Sequence, residues 1–253
     1  MAERAQKVQL HIPEIIRTSE HLVQRIEERF PGSGLGAVSQ TICNTSSDTQ
    51  AQIVALQRTN WTLLLIGIGI PVLSVLLLLY LVLVRTPKGG FQLPETFSSF
   101  IEILEPTLGS LVFLIVFFAF MWTLESRWKQ TRVLRALNEL RSLAHVIDMH
   151  QLTKDPKRLL LVGPDTASSP KRSLTPFELG RYLDYCTELL AILSKLSAVW
   201  AQAFPEPNLL TAVDQIEMLA NGLSRKIWQK LIILESVSVS GSQRDESPST
   251  EPR

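Results

Sequence analysis

The chain has 253 residues, with 25 Lys and Arg against 24 Asp and Glu, for a formal charge of +1. That balance speaks against an electrostatic nucleic-acid binder, which needs a clear basic excess, so no nucleic-acid partner is expected. The two cysteines, Cys43 and Cys186, are far apart and lack CxxC or Cys/His companions, which argues against both a disulfide framework and a zinc site.

The opening segment, MAERAQKVQL, is polar and has no apolar h-region, so no cleavable signal is expected and the first apolar run is expected to act as an internal anchor. Residues 12–30 predict an amphipathic helix. Ile15, Ile16, Leu22, Val23, Ile26 and Phe30 fall on one face at helical spacing, and Pro31-Gly32-Ser33-Gly34 stops it. Gly32, Gly34 and Gly36 invite a phosphate-loop reading. No strand precedes them and no Gly-Lys-Ser/Thr follows, so a helix stop between two helices accounts for them. A second, more polar helix is expected over about 35–58, possible to continue into the first apolar run.

Two uncharged apolar runs follow, Trp61–Val84 of 24 residues and Thr107–Leu124 of 18. At about 1.5 Å per residue, each can cross or nearly cross a hydrocarbon core of about 30 Å, which predicts two membrane spans. The first holds Gly67, Gly69, Pro71 and Ser74, small residues that permit close helix approach and a proline that can kink. The second is aromatic, with Phe113, Phe117, Phe118, Phe120 and Trp122. Trp61, Tyr80, Trp122 and Trp128 stand where an interfacial belt would lie. Neither run holds an ionisable residue, which argues against a charged ion path or proton relay.

Arg127, Lys129, Arg132, Arg135 and Arg141 follow the second run, Arg58 precedes the first, and Arg85 and Lys88 lie between them. With both termini inside, six of these eight charges are cytoplasmic; the reverse leaves only Arg85 and Lys88 there. Both termini are therefore expected in the cytoplasm, with the linker 85–106 outside as a short ordered loop carrying Pro87 and Pro94. The sequons at Asn44 and Asn60 would matter only for a lumenal N-terminus.

Beyond the second run, Val133, Leu137, Leu140, Ala144 and Ile147 repeat at 4-3-4-3 spacing to about residue 150. Residues 163–175 predict a flexible loop rich in Ser, Pro and Gly. Thr175-Pro176-Phe177-Glu178 predicts a capped start with a capping box, followed by Leu179, Tyr182, Cys186, Leu189, Leu193, Leu196 and Trp200 on one seam, with Pro205 and Pro207 ending the helix. The next helix, about 208–235, carries Val213, Ile216, Ala220, Leu223, Ile227 and Leu234, with Arg225, Lys226 and Lys230 toward its C-terminus. Three helices with one narrow seam each predict an antiparallel bundle, or alternatively a partly coiled-coil dimer. The tail 236–253 is expected to be disordered.

Three groupings hold residue types suited to chemistry. His145, Asp148, His150 and Asp155 suit a divalent metal by type, but on a continuous helix His150 points away from His145; a helix C-terminus with favourable cations is the simpler reading. Glu102 and Glu105 could form an acidic ring in an oligomer, against solvated interfacial carboxylates. Arg225, Lys226, Trp228 and Lys230 could meet anionic headgroups or a partner helix, against a cationic helix end with a packed Trp. No catalytic triad, Walker loop, dinucleotide fingerprint or zinc-protease helix is present, so no catalytic, cofactor-binding or metal residue and no cofactor is assigned.

Ala136–Pro156, Leu223–Lys230 and Thr175–Cys186 together resemble a family of uncharacterised bacterial membrane proteins with two spans and a helical C-terminal portion. The resemblance implies inner-membrane residence and carries no activity or ligand. The expectation is thus an all-α protein divided into a cytoplasmic N-terminal helical segment 1–59, a span at 60–84, an external loop 85–106, a span at 107–125, a cytoplasmic antiparallel bundle 126–235 and the tail 236–253. Its expected role is a non-enzymatic scaffold in the inner membrane, with the lipid bilayer and protein partners or a second copy as its contacts. The alternatives are a membrane-bound metal-dependent enzyme centred on His145, Asp148 and His150, and an oligomeric channel or transport accessory.

Overall fold

The computed structural model describes residues 9–58, 69, 71–77, 80, 97–156, 167 and 174–245. The regular structure among them is all α-helical: α1 (Ile12–Arg29), α2 (Gly34–Gln57), α3 (Phe97–Leu152), α4 (Pro176–Ala203) and α5 (Pro207–Asp245), with residues 71–77 also helical. They fall into two compact units, Met1–Ala55 with Val133–Arg253, and Leu56–Arg132.

In the first unit, α1 buries Ile15, Ser19, Leu22 and Ile26, a stripe at 4-3-4 spacing. Ser19 sits on the buried stripe because its hydroxyl donates to the Ile16 carbonyl at 2.7 Å. The helix stops at Phe30, whose N–H returns to the Ile26 carbonyl, and Gly32 takes the left-handed conformation (φ 65°) that the reversal requires. Ser33 then caps α2 by accepting from the Gly36 N–H at 3.1 Å. The polar character of α2 is reconciled with burial in the same way as Ser19. Ser39, Thr45 and Ser46 are buried, and each hydroxyl donates to a carbonyl of its own helix at 2.8–2.9 Å.

The 4-3-4-3 seam of α3 is buried along its whole length, from Val133 through Leu137, Leu140 and Ala144 to Ile147. α4 begins as expected, with Thr175 accepting from the Glu178 N–H, Glu178 accepting from the Thr175 N–H, and Pro176 in the first turn. The Thr175 N–H and then the Thr175 hydroxyl, both donating to the Glu178 carboxylate, hold it below its ordinary range. Every seam residue expected on α4 is buried, as are those of α5. α4 also buries Leu183, Tyr185, Leu190, Ile192 and Val199, which lie off that seam. α5 packs on one side of α4 and α1 on another, so α4 is covered nearly all round.

In the second unit, most of the described apolar side chains of α3 between Leu108 and Leu124 are exposed, Phe113 at 73 %, while Leu114, Phe117 and Met121 are half-buried. Among the described residues this is one helix long and apolar enough to cross a membrane. Of the first apolar run, the described side chains Val72, Leu73, Val75, Leu76 and Leu77 are exposed as well, while most of the run lies outside the described residues. Among the described residues, a Cβ placed on Gly69 would meet nothing within 4 Å; Gly67 lies outside the described residues.

Three boundaries differ from expectation. The helix of the second run starts at Phe97, so the last part of the expected loop 85–106 is helical, and it passes through Pro106. A charge such as Glu105 bounds an apolar run without bounding a helix. α5 continues to Asp245, into the segment expected to be disordered; residues 246–253, like most of the expected loop 163–175, lie outside the described residues. The N-terminal helices, expected as a segment of their own, share a compact unit with α4 and α5.

Candidate functional site

Where the end of α3 meets α5, Lys230 joins the polar groups near residue 150, but His145 and His150 do not come together as metal binding needs. On α3, His145 is exposed and Asp148 half-buried. His150 turns away to the start of α2. A Cβ placed on Gly34 would lie 2.5 Å from its Cε1 and 3.3 Å from its Nδ1, so the imidazole fills the space that a glycine leaves open. Asp148 accepts instead from the Gln151 side-chain amide. Among the described residues, no group of three or more His, Cys, Asp or Glu is placed to hold a metal ion. The side chains of Glu102 and Glu105 lie outside the described residues.

The centre of the cluster is Gln151, buried, with Lys230 reaching in from α5. The Lys230 ammonium donates to the Gln151 backbone carbonyl at 2.7 Å and to its Oε1 at 2.6 Å. Gln151 lies in the last turn of α3, where carbonyls have no helical partner and the dipole end is negative. Lys230 therefore caps a helix other than its own. Its position on the sequence suggested a cation near the end of α5; because α5 continues to Asp245, that local role is absent. Arg225, Lys226 and Trp228 remain exposed, so the four residues do not act as one group.

Burial lowers the Lys230 pKa, with Asp155 and Asp148 pulling the other way. Burial pushes the Cys186 thiol up to about 12, against the opposing pull of Lys230 and Lys154. Burial also raises Tyr182, with Cys186 adding to it. The Lys154 ammonium sits over the Tyr182 ring, 5.3 Å from its centroid. A thiol held this far above neutrality is protonated and a poor nucleophile. The Lys230–Gln151 pair supplies charge-assisted hydrogen bonds that tie α3 to α5.

A similar tie joins α1 to α4. Arg25 pairs with Glu188 and lies 5.7 Å from the Tyr185 ring centroid, while Phe30 meets Tyr182 and Tyr185 edge-on at 5.5 and 6.2 Å.

Beside these anchors, the surface of the first unit carries an open groove of about 600 Å³ between the start of α4 and the later part of α5. Phe177, Gly180 and Arg181 line one wall, and Trp228, Leu231 and Leu234 the other. Phe177 is 65 % exposed and Trp228 63 %. Arg29 covers one side of the Phe177 ring, 5.4 Å from its centroid. Phe177 and Trp228 were legible in the sequence as residues of their helices, but nothing in either helix alone brings them together. Gly180 lies beside Leu234: a Cβ there would stand 3.4 Å from the Leu234 Cδ2, in ordinary van der Waals contact. No known protein family, curated relative or solved structure matches the chain.

Proposed function

We propose that the chain is a two-span inner-membrane protein with both termini in the cytoplasm, whose flanking segments form one antiparallel helical bundle that binds a protein partner or a second copy. Its role is then non-enzymatic. The inner membrane follows the resemblance to bacterial two-span proteins, and the orientation follows the arginines and lysines beyond the second run. The antiparallel arrangement is supported by the short Phe204–Glu206 connection and by Gly180, near the start of α4, lying beside Leu234, late in α5.

The observation that carries the binding role is the groove between Phe177 and Trp228. Two large aromatic side chains exposed across one cleft are what interfaces use as anchors, since each buries much apolar area at low cost in side-chain entropy. The anchoring ties described above hold α3, α4 and α5 together, so the cleft is presented by packed helices rather than by loops.

A photo-crosslinking side chain placed at Leu231 in native membranes tests this. A discrete covalent adduct is expected, with a second protein or a second copy, and it is expected to disappear in a Phe177→Asp/Trp228→Asp background. No adduct at Leu231, or the same adduct from the exposed Lys226, would remove the reading.

A further inference from the structure

α3 changes character twice along its length. Up to Leu124 its described side chains are mostly apolar and exposed, and Val133 is the first buried residue among them. Between lies a stretch suited neither to hydrocarbon nor to a core: Arg127, Trp128, Lys129 and Arg132. Its eight residues, 125–132, span about 12 Å. A headgroup layer is about 5–8 Å thick on each side of a bilayer, so the first turns of this stretch match it.

Within the stretch one arrangement is already assembled. The Arg132 guanidinium lies over the Trp128 ring, 4.2 Å from its centroid, one helical turn along the same face. Trp128 is 40 % exposed, and Arg127 beside it is exposed. A stacked guanidinium keeps its N–H edge free and loses little further freedom when it meets a phosphate, which it can engage through two parallel hydrogen bonds. An indole at the end of an apolar stretch favours the interface, where its ring meets glycerol and its N–H meets water.

We propose that Trp128 and Arg132 form a binding site for the phosphate headgroup of an anionic phospholipid. The inference rests on the membrane reading above and adds a ligand class to it. The lipid source is favoured over free phosphate because Trp128 lies about one helical turn beyond Leu124, the end of the apolar stretch, with Glu125 and Ser126 between; there a phosphodiester is held by its acyl chains and a soluble anion is not.

The test uses the full chain, delipidated in a non-ionic detergent and titrated calorimetrically with short-chain phosphatidylglycerol or phosphatidylcholine. Phosphatidylglycerol is expected to bind at least tenfold more tightly. Arg132→Gln is expected to weaken it about fivefold, and Arg127→Gln, at a position about 140° away round the helix, by less than about twofold. Arg132→Lys is also expected to weaken it, because lysine keeps the charge but loses the stacked fork. Equal binding of the two lipids, or unchanged binding in Arg132→Gln at unchanged helicity by circular dichroism, would overturn the site. Displacement of phosphatidylglycerol by millimolar inorganic phosphate would overturn the lipid assignment in favour of a general anion site. Alkaline carbonate extraction of native membranes keeps the two readings apart: a chain that washes off contradicts the membrane reading itself, whatever the calorimetry gives.

Discussion

His150 shows how a residue's type misleads when its direction is unknown. With His145 and Asp148 it had the composition of a metal site, but its imidazole occupies the space above Gly34, on another helix. The helical angle between His145 and His150 was readable in the sequence; the glycine that receives His150 was not, because their meeting depends on a contact across more than a hundred positions. Gly34→Ala is expected to destabilise the first unit by about 1–3 kcal/mol, through overpacking against the imidazole. Most of that loss should vanish in Gly34→Ala/His150→Ala, and additive losses in thermal melts would contradict the contact.

Cys186 carries a prediction with a definite sign. Its thiol is raised from 9.0 to about 12 by burial, so its contribution to stability is complete below pH 9 and is lost as pH rises toward 12. Tyr182, also raised by burial, acts in the same direction. Lys230 acts oppositely: its folded pKa is lowered from 10.5, so its contribution grows as pH rises through that lower value up to 10.5. Above pH 10.0, where Cys186 and Tyr182 both act against Lys230, melting temperature is expected to fall, and Cys186→Ala should make the fall shallower. At pH 8, iodoacetamide is expected to label Cys186 only on unfolding.

At the scale of the element, α4 separates what periodicity reveals from what it hides. The spacing of Leu179, Tyr182, Cys186, Leu189, Leu193, Leu196 and Trp200 picked out the buried seam residue by residue, because a 3-4 repeat of apolar side chains has few other uses. The same helix buries Leu183, Leu190 and Ile192, and a single-seam reading passes over them. Their presence was a signal that α4 has more than one neighbour, and α1 is the second. Leu193→Ala is expected to cost about 2–5 kcal/mol, and Leu190→Ala a similar amount. In a two-stranded coiled coil the off-seam Leu190→Ala would be nearly silent, so urea melts of the two variants distinguish the arrangements. Element ends were less legible than element faces. α3 starts at Phe97 and α5 continues to Asp245, since charge and low hydrophobicity mark where packing stops rather than where a helix does.

At the scale of the whole molecule, the first unit is built from both ends of the sequence, with Leu56–Arg132 between them. Neither the seam of α1 nor that of α4 names its partner, so this joining could not be read from periodicity. It bears on the proposed topology through parity. Two segments that pack together lie on one side of a membrane, and a chain that leaves and returns crosses an even number of times. In the proposed topology the two apolar runs make these crossings, and the six-to-two distribution of nearby cations gives their direction. Packing and charge are independent properties, and both favour that proposal.

The direct measurement is the side of the membrane on which each part lies, read by reporter fusions at residues 10, 92 and 240. The account predicts cytoplasmic reporters active at 10 and 240 and an external reporter active at 92. Positions 10 and 240 on opposite sides would contradict it.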